Sequence, residues 1–275
     1  MSEQEKNVPS KEEKSEDKSV SKTAGEKTAK HFGSQKFDDT PLSLEALFKA
    51  GVYFGHKRAR RNPRMDEYVY AYRQGVAIID LKKTMECFQG TLAFLEEVAF
   101  SGKPILFVGT KKHVRTLTRE VADRVEMPFV NNRWLGGTFT NLSVIQGRVK
   151  YLLNLEEKLK KDDFSGYTKL EKLKKREESE KMDEKLGGLR LMKQLPGAVV
   201  VSDIKNDHLA IKEAKRAGVP IVALVDTNDD PRDISYIIPA NNDALSSVRI
   251  LMEYIAQSIE KGKKRGEKKE EGIDL

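Results

Sequence analysis

Residues 129–141 carry the most unusual mixture of side chains in the sequence. They hold the only tryptophan, Trp134, directly after Arg133 and shortly before Gly136 and Gly137. The stretch contains no acid, histidine or cysteine, so it can supply neither a general base nor a metal cluster. Its guanidinium, indole, hydroxyl and amide groups suit contact with a phosphate backbone or with another protein. Trp134 could equally be a core residue, as most single tryptophans largely are.

A second segment, residues 55–64, is strongly basic and contains no acid. Its five lysines and arginines are Lys57, Arg58, Arg60, Arg61 and Arg64. These cations cannot be neutralised within the segment, and the planar fork of arginine matches phosphate oxygens. A solvated surface loop is the plainer interpretation, but most charged runs of that kind mix both signs. We therefore predict that all five side chains contact phosphates.

Two further lysines, Lys111 and Lys112, follow a strand-to-helix turn that begins at Gly109. Anions bind at such turns in parallel sheets, because the amides at the helix N-terminus point outward there. Neither of the glycine patterns that cradle nucleotide phosphates occurs in the chain. The turn therefore predicts a basic surface near the carboxyl edge of the sheet, and we include both lysines and Arg133 among the residues predicted to contact a polyanion.

Acidic residues at the ends of two later predicted strands raise the question of a metal. Asp203 and Asp226 could hold Mg²⁺ through their oxygens. However, Asp and Asn near proline commonly cap helices and fix turns, as the run from Asp226 to Asp233 suggests. The four histidines show no metal-ligand spacing, and no Ser/His/Asp grouping presents itself. We predict no catalytic residue, no metal and no cofactor.

Composition favours a soluble protein with a polyanionic partner. The 275 residues carry a formal charge of +7 and a pI of about 9.2. Cys87 is the only cysteine, which excludes an internal disulfide and predicts a small buried side chain in a reducing compartment. No apolar run approaches the length of a membrane span, and the N-terminus has no signal-peptide pattern. The cytoplasm is the expected location.

The elements that must position these residues alternate along the chain. Continuous apolar runs between helical segments indicate an α/β fold with a parallel sheet covered by helices on both faces. A hairpin is predicted from two runs joined across residues 73–75. The predicted strands cover residues 68–72, 76–80, 105–108, 198–201 and 221–225. The predicted helices cover residues 43–50, 84–100, 111–125, 207–217 and 244–260.

One stretch interrupts this alternation, and both ends of the chain differ from it in composition. Residues 141–193 place apolar side chains near a heptad seam, and Thr168 with Glu171 has the form of a capping box. We predict an antiparallel coiled-coil hairpin there, although a partly disordered insertion is an alternative because of the charge density. Residues 1–42 and 261–275 are predicted to be charged tails, and residues 43–260 to form the α/β domain.

Seven stretches together resemble a known family, the small ribosomal subunit protein two (the S-two family) of bacteria and organelles. The similarity extends from about residue 43 to 262 in the family's order. It is carried by Gly-Val-Tyr-Phe-Gly-His at 51–56, Asn-Pro-Arg-Met at 62–65, Ile-Ile-Asp-Leu-Lys-Lys-Thr at 78–84, Leu-Phe-Val-Gly-Thr-Lys-Lys at 106–112, Asn-Arg-Trp-Leu-Gly-Gly-Thr-Phe-Thr-Asn at 132–141, Leu-Pro-Gly at 195–197 and Val-Asp-Thr-Asn at 225–228.

The resemblance implies a flavodoxin-like sheet with an inserted coiled coil. It also implies a non-enzymatic protein that binds small-subunit ribosomal RNA and neighbouring ribosomal proteins, including the large mRNA-binding ribosomal protein one. The chain departs from the family at Arg61, where an aromatic residue is common, and at Ala240, where glycine is usual. Trp134, Gly136 and Gly137 are expected to form the junction between sheet and hairpin.

Two other functional classes remain open from the residues alone. One is an α/β enzyme that acts on a phosphorylated metabolite at the Gly109 turn and the pair Asp203 and Asp226. The other is a scaffold that binds proteins through the hairpin.

Overall fold

The structure, a computed structural model, describes residues 42–161 and 167–270. The predicted N-terminal tail and residues 271–275 lie outside this part, except for Leu42. The strands are β1 (Phe54–Lys57), β2 (Val69–Arg73), β3 (Val76–Ile79), β4 (Ile105–Val108), β5 (Phe129–Val130), β6 (Ala198–Val201), β7 (Ile221–Val225) and β8 (Tyr236–Pro239). The helices are α1 (Leu44–Lys49), α2 (Leu81–Phe100), α3 (Arg115–Arg124), α4 (Leu142–Lys161), α5 (Lys169–Leu186), α6 (His208–Ala217) and α7 (Leu245–Glu270).

The main sheet has five parallel strands in the order β5-β4-β6-β7-β8. Numbered within the sheet, this order is 2-1-3-4-5, the order found in flavodoxin-like folds. The chain reverses its direction of strand addition between β4 and β6, so a crevice is expected at their carboxyl ends. The predicted α/β class with a parallel sheet is confirmed.

Both faces of the main sheet are buried, as its continuous apolar runs predict. Leu106, Val108, Val199 and Val201 pack in one cluster with side chains of α4 and α6. Their neighbours along the strands point to the opposite face, because successive side chains alternate. Helices α2, α3 and α7 contact each other or the strands there, and residues on both faces, such as Phe107 and Leu106, have no exposed surface.

A separate antiparallel sheet holds the basic segment. Its order is β1-β3-β2, and the two-residue turn between β2 and β3 has Gln74 at φ 49° and Gly75 at φ 77°. Positive φ at both central positions matches the right-handed twist of a hairpin. The sequence predicts the β2–β3 hairpin, and the structure adds β1 as a third strand.

Within the described residues between β5 and β6, the α-helices are α4 and α5. Thr168 and Glu171 form the predicted capping box at the start of α5. Ile145, Val149 and Leu152 of α4 are buried, as the predicted apolar seam requires. The expected second seam is incomplete, because Leu170 and Leu173 of α5 are more than half exposed. The coiled-coil geometry therefore stays a prediction.

Several element boundaries differ from the sequence prediction for local reasons. Helix α3 starts at Arg115 rather than residue 111, since residues 111–114 form a turn and Val114 offers no side-chain cap. Residues 236–239, for which the sequence predicted neither strand nor helix, form the short edge strand β8, which ends in Pro239. Helix α7 continues to Glu270, whereas the sequence predicted that this helix ends at residue 260.

Candidate functional site

The basic segment lies at the carboxyl edge of the main sheet and is held there by main-chain bonds. The amide of Asn62 donates to the carbonyl oxygen of Thr227, just after β7, at 2.8 Å. The amide of Arg58 donates to the carbonyl oxygen of Gly75 at 2.8 Å, and the side chain of Asn62 accepts from the amide of Arg64. The cationic side chains therefore project from a backbone with a defined position.

The five cations of this segment divide into two groups. Arg61 pairs with Asp66 at 3.1 Å, and Arg64 pairs with Asp230 at 3.2 Å. Lys57, Arg58 and Arg60 are exposed and have no carboxylate partner among the described residues. The guanidinium of Arg58 lies 5.2 Å from the centre of the Tyr72 ring, which orients it without neutralising it.

The crevice between the carboxyl ends of β4 and β6 is occupied by an ion pair. The ammonium of Lys111 lies 2.9 Å from Asp203 and also contacts Asp243, and only 19% of its side chain is exposed. Burial lowers the pKa of Lys111, but hydrogen bonds to Asp243 and Asp203 more than offset this, so the pKa is raised overall. Lys111 is thus charged and already neutralised, whereas Lys112 is exposed.

The acidic residues at this edge mainly fix the turns. Asp203 accepts hydrogen bonds from the amides of Lys205 and Asn206, at 2.8 and 3.1 Å. Asp226 accepts from the amide and hydroxyl of Thr227, and Asp230 accepts from the amide of Arg232. These contacts agree with the turn role expected for Asp and Asn near proline. Asp203 and Asp226 are thereby held by main-chain donors.

His56 also lies at the carboxyl edge of the main sheet, where it contacts two aspartates. The sequence did not predict these contacts. Its Nδ1 lies 3.1 Å from Asp226, and its Nε2 lies 3.2 Å from Asp243. The hydrogen bond to Asp226 raises the pKa of His56. Ligand atoms of these three residues lie within 4.8 Å of one another, an N/O set of the type that divalent cations accept. Sequence spacing cannot reveal this group, because its members come from distant parts of the chain.

Two buried carboxyls near this edge, Asp207 and Asp229, have raised pKa values. Burial raises the pKa of Asp207 to about 6, although Asp207 accepts a 2.7 Å hydrogen bond from the hydroxyl of Thr110. Burial likewise raises the pKa of Asp229 to about 6. Asp229 also accepts from the side chain of Asn242 at 3.0 Å, which ties the β7 and β8 loops together.

Trp134 is 5% exposed and lies in the loop between β5 and α4. Its ring meets Phe139 edge-to-face at 5.0 Å. The carboxylate of Glu213 on α6 accepts from the Trp134 indole, the amide of Gly137 and the amide of Phe139, at 3.3, 2.8 and 3.1 Å. Gly137 has φ +92°, which an L side chain rarely adopts. The loop is thus anchored to the helix that covers it, and sequence reasoning missed Glu213.

The remaining candidate residues lie at the surface or in part-buried positions. Arg133 and Gly136 are exposed. Cys87 is half-buried rather than buried as expected, and burial raises the pKa of its thiol. Within residues 42–161 and 167–270, no helix is long and apolar enough to cross a bilayer.

Fold and site together define a basic α/β protein of flavodoxin-like strand order, whose crevice is closed by ion pairs and which exposes cations without carboxylate partners among the described residues beside that crevice. Residues 47–262 match the model of the family described as "Ribosomal protein S2". The chain belongs to this family, which is a structural component of the small ribosomal subunit and not an enzyme family. The alternative prediction of a metabolite enzyme is therefore wrong.

Individual relatives support the assignment over most of the chain. The protein named "Small ribosomal subunit protein uS2" of Roseiflexus castenholzii is 43% identical over 226 residues, which cover 82% of this chain and 86% of the relative. The protein of the same name from Geotalea uraniireducens is 42% identical over 221 residues, with 80% and 86% covered. That of Desulfatibacillum aliphaticivorans is 42% identical over 222 residues, with 81% and 76% covered.

Proposed function

We propose that this protein binds small-subunit ribosomal RNA through the phosphate backbone, using the basic segment as its main contact. The observation that carries the proposal is the exposure of Lys57, Arg58 and Arg60 without carboxylate partners among the described residues, at the end of β1 and in the 3-10 turn that follows it. Main-chain hydrogen bonds fix this segment to the main sheet. Cations held in this way displace counterions from RNA and orient the protein without reading bases. Arg61, Arg64, Lys112 and Arg133 contribute from the periphery.

Lys111 has a different part in this proposal. Its two carboxylate partners and its low exposure leave little positive charge for RNA, so we assign it to the architecture of the crevice. Trp134, Gly136 and Gly137 form the joint between the sheet and the projecting helices. The hydrogen bonds of Glu213 to this loop support that assignment.

The helices α4 and α5 are proposed to form an antiparallel coiled-coil hairpin that contacts neighbouring ribosomal proteins. The hydroxyl of Tyr151 on α4 donates to Glu178 on α5 at 3.1 Å, which supports their pairing. Leu170 and Leu173 are 61% and 52% exposed, and apolar side chains of this kind gain by burial against a partner. Ribosomal protein one, the partner that the family resemblance implies, is included in this proposal, as is a cytoplasmic location.

Sedimentation of a cell lysate through a sucrose gradient tests the ribosomal assignment. The protein is expected to migrate with the small subunits at low salt and to dissociate progressively as salt is raised, because phosphate contacts are screened. A protein that remains at the top of the gradient at low salt contradicts the proposal.

The protein contacts have a separate test. Changing Leu170 and Leu173 to Ser is expected to weaken association with the subunit while binding to protein-free ribosomal RNA stays unchanged. A matched control changes Leu209 of α6 and Leu245 of α7, which are also exposed but lie outside the hairpin, to Ser. Equal losses from both variants would show that α5 has no special part in partner binding.

A further inference from the structure

The end of α7 goes beyond what the family assignment covers. The family match ends at residue 262, whereas α7 continues as a helix to Glu270. Residues 263–270 read Lys-Lys-Arg-Gly-Glu-Lys-Lys-Glu and carry five cations and two acids. This end of the helix is therefore basic and is a feature of this chain rather than of the matched region.

One side of this helical end is held against the rest of the molecule. Gly262 and Gly266 are four residues apart and face α2, where a Cβ on Gly262 would lie only 2.3 Å from the carbonyl oxygen of Glu96. Arg265 pairs with the carboxylate of Glu96 at 2.6 Å and lies over the ring of Phe100. The ammonium of Lys263 donates to the carbonyl oxygen of Val125 at 2.7 Å. The position of the helical end is thus set by several contacts.

The opposite side presents a row of lysines. Lys261, Lys264 and Lys268 follow the i, i+3, i+7 pattern of one helix face, and all three are exposed. The helical rise separates them by about 4.5 and 6 Å along the axis. None of the three has a carboxylate partner among the described residues. Lys263, on another side of the same turn, borders a groove of ≈ 500 Å³ together with Lys103 and Lys193.

This surface lies at the opposite edge of the main sheet from the basic segment. Gly262 and Gly266 of α7 lie against Glu96 and Phe100 at the end of α2, which precedes β4, whereas the basic segment is bonded to Thr227, which follows β7. Strands of four or five residues span about 13–16 Å. The two surfaces therefore cannot bind the same phosphate group.

We propose that the face formed by Lys261, Lys264 and Lys268 is a second phosphate-binding surface for ribosomal RNA, which rests on the proposed function. A protein partner fits this face less well, since interface centres are depleted in charge and rich in aromatic side chains. No large apolar side chain of α7 beyond Leu245 is exposed. A row of flexible point charges suits the sequence-independent attraction of a phosphate backbone. The protein would then join two separate RNA segments.

The test uses the full chain and protein-free small-subunit ribosomal RNA, with affinity measured over a series of salt concentrations. The variant changes Lys261, Lys264 and Lys268 to Gln, which removes charge but keeps helix propensity. The slope of log affinity against log salt is expected to fall by about two to three, roughly one per lost phosphate contact. The control changes Lys150, Lys185 and Lys212, which are exposed on α4, α5 and α6, to Gln and is expected to change the slope by less than about one.

Each result supports or overturns the proposal. Equal loss in both triple variants would mean that only net charge matters, which overturns it. An unchanged slope for the α7 variant, beside a reduced slope for Arg58→Ala with Arg60→Ala, overturns the second surface and leaves the proposed function standing. A wild-type protein without salt-dependent binding refutes both. If the α7 variant binds protein-free RNA normally but no longer associates with the assembled subunit, the lysine face contacts a protein and the proposal is overturned. If the triple variant fails to fold, Lys264→Gln alone is expected to lower the slope by about one.

Discussion

Individual cations in the basic segment differ in how free they are to meet a phosphate. The guanidinium groups of Arg61 and Arg64 are engaged by Asp66 and Asp230, whereas Arg58 and Arg60 meet no carboxylate in the described part of the chain. An ion pair between exposed groups is weak, and a phosphate can compete for it only after the existing partner is displaced. The number of arginines in the segment therefore overstates the number of available contacts.

A paired comparison follows from this difference. Changing Arg58 and Arg60 to Ala is expected to weaken RNA binding and to lower the salt slope by about two. Changing Arg61 and Arg64 to Ala removes the same charge but is expected to have the smaller effect, since both groups already have carboxylate partners. The measurement is affinity for small-subunit ribosomal RNA at several salt concentrations. A larger effect from the second pair would show that the carboxylates do not restrain Arg61 and Arg64.

Glu213 gives a prediction about stability at a single residue. Its carboxylate accepts three hydrogen bonds from the loop around Trp134, and an amide in its place offers only one acceptor oxygen. Glu213→Gln is expected to lower the free energy of unfolding by about 1–3 kcal/mol, because donors lose their partners. Glu184→Gln is the control, since Glu184 accepts one exposed bond from Asn132, and its cost is expected within about 0.5 kcal/mol. Urea unfolding measures both, and equal values would contradict the anchoring role.

At the scale of elements, α2 and α7 depend on close approach of their backbones. The Cβ of an alanine at residue 262 would lie 2.3 Å from the carbonyl oxygen of Glu96, so α7 would have to move. Gly262→Ala is expected to lower the free energy of unfolding by about 1–3 kcal/mol, as overpacked sites do. Gly90→Ala, in α2 with no atom nearby, is expected to raise it by up to about 1 kcal/mol. Thermal unfolding tests both, and stabilisation by Gly262→Ala would show that the helices are not in contact there.

The elements also show which parts of the structure the sequence could predict. The runs at residues 105–108, 198–201 and 221–225 are buried on both faces, so their continuous apolar character identified the central strands. Strand β5 has two residues, and β8 ends in proline, so neither shows a strand pattern. Partners such as His56 with Asp226, or Glu213 with the Trp134 loop, meet only after the sheet has formed. Local spacing carries no record of such contacts.

At the scale of the whole molecule, exposed cations without carboxylate partners among the described residues lie near both ends of the parallel strands. Paired charges close the carboxyl edge around Lys111 and Asp203, with the free arginines just outside that cluster. The amino edge is bordered by the lysines of α7 and its neighbouring groove. In the proposal made above, the cations at the two ends of the sheet hold two RNA segments apart. That property suits a structural role in a ribosomal subunit.

The buried carboxyl groups near the end of the main sheet also predict how the stability of the whole molecule depends on pH. The pKa values of Asp207 and Asp229 are raised by burial from 3.8 to about 6. Between about pH 4 and 6 the unfolded chain has already lost protons that the folded chain retains, so stability falls as pH rises. The hydrogen bond to Asp226 raises the pKa of His56, so its stabilising contribution is present below 6.5 and is lost as pH rises through the folded pKa. All three groups act in the same direction.

The free energy of unfolding is therefore expected to be larger at pH 5 than at pH 7.5, by roughly 1–1.5 kcal/mol for each of the two carboxyls, Asp207 and Asp229. Asp230, whose pKa is lowered chiefly by its hydrogen bond with Arg232, acts only in the acid range below this window. Urea unfolding between pH 4.5 and 8 measures the trend. Asp207→Asn is expected to flatten it, because the variant removes one of the titrating groups. A free energy of unfolding that does not fall from pH 5 to 7.5 would mean that burial does not raise the pKa values of these carboxyls in the folded protein.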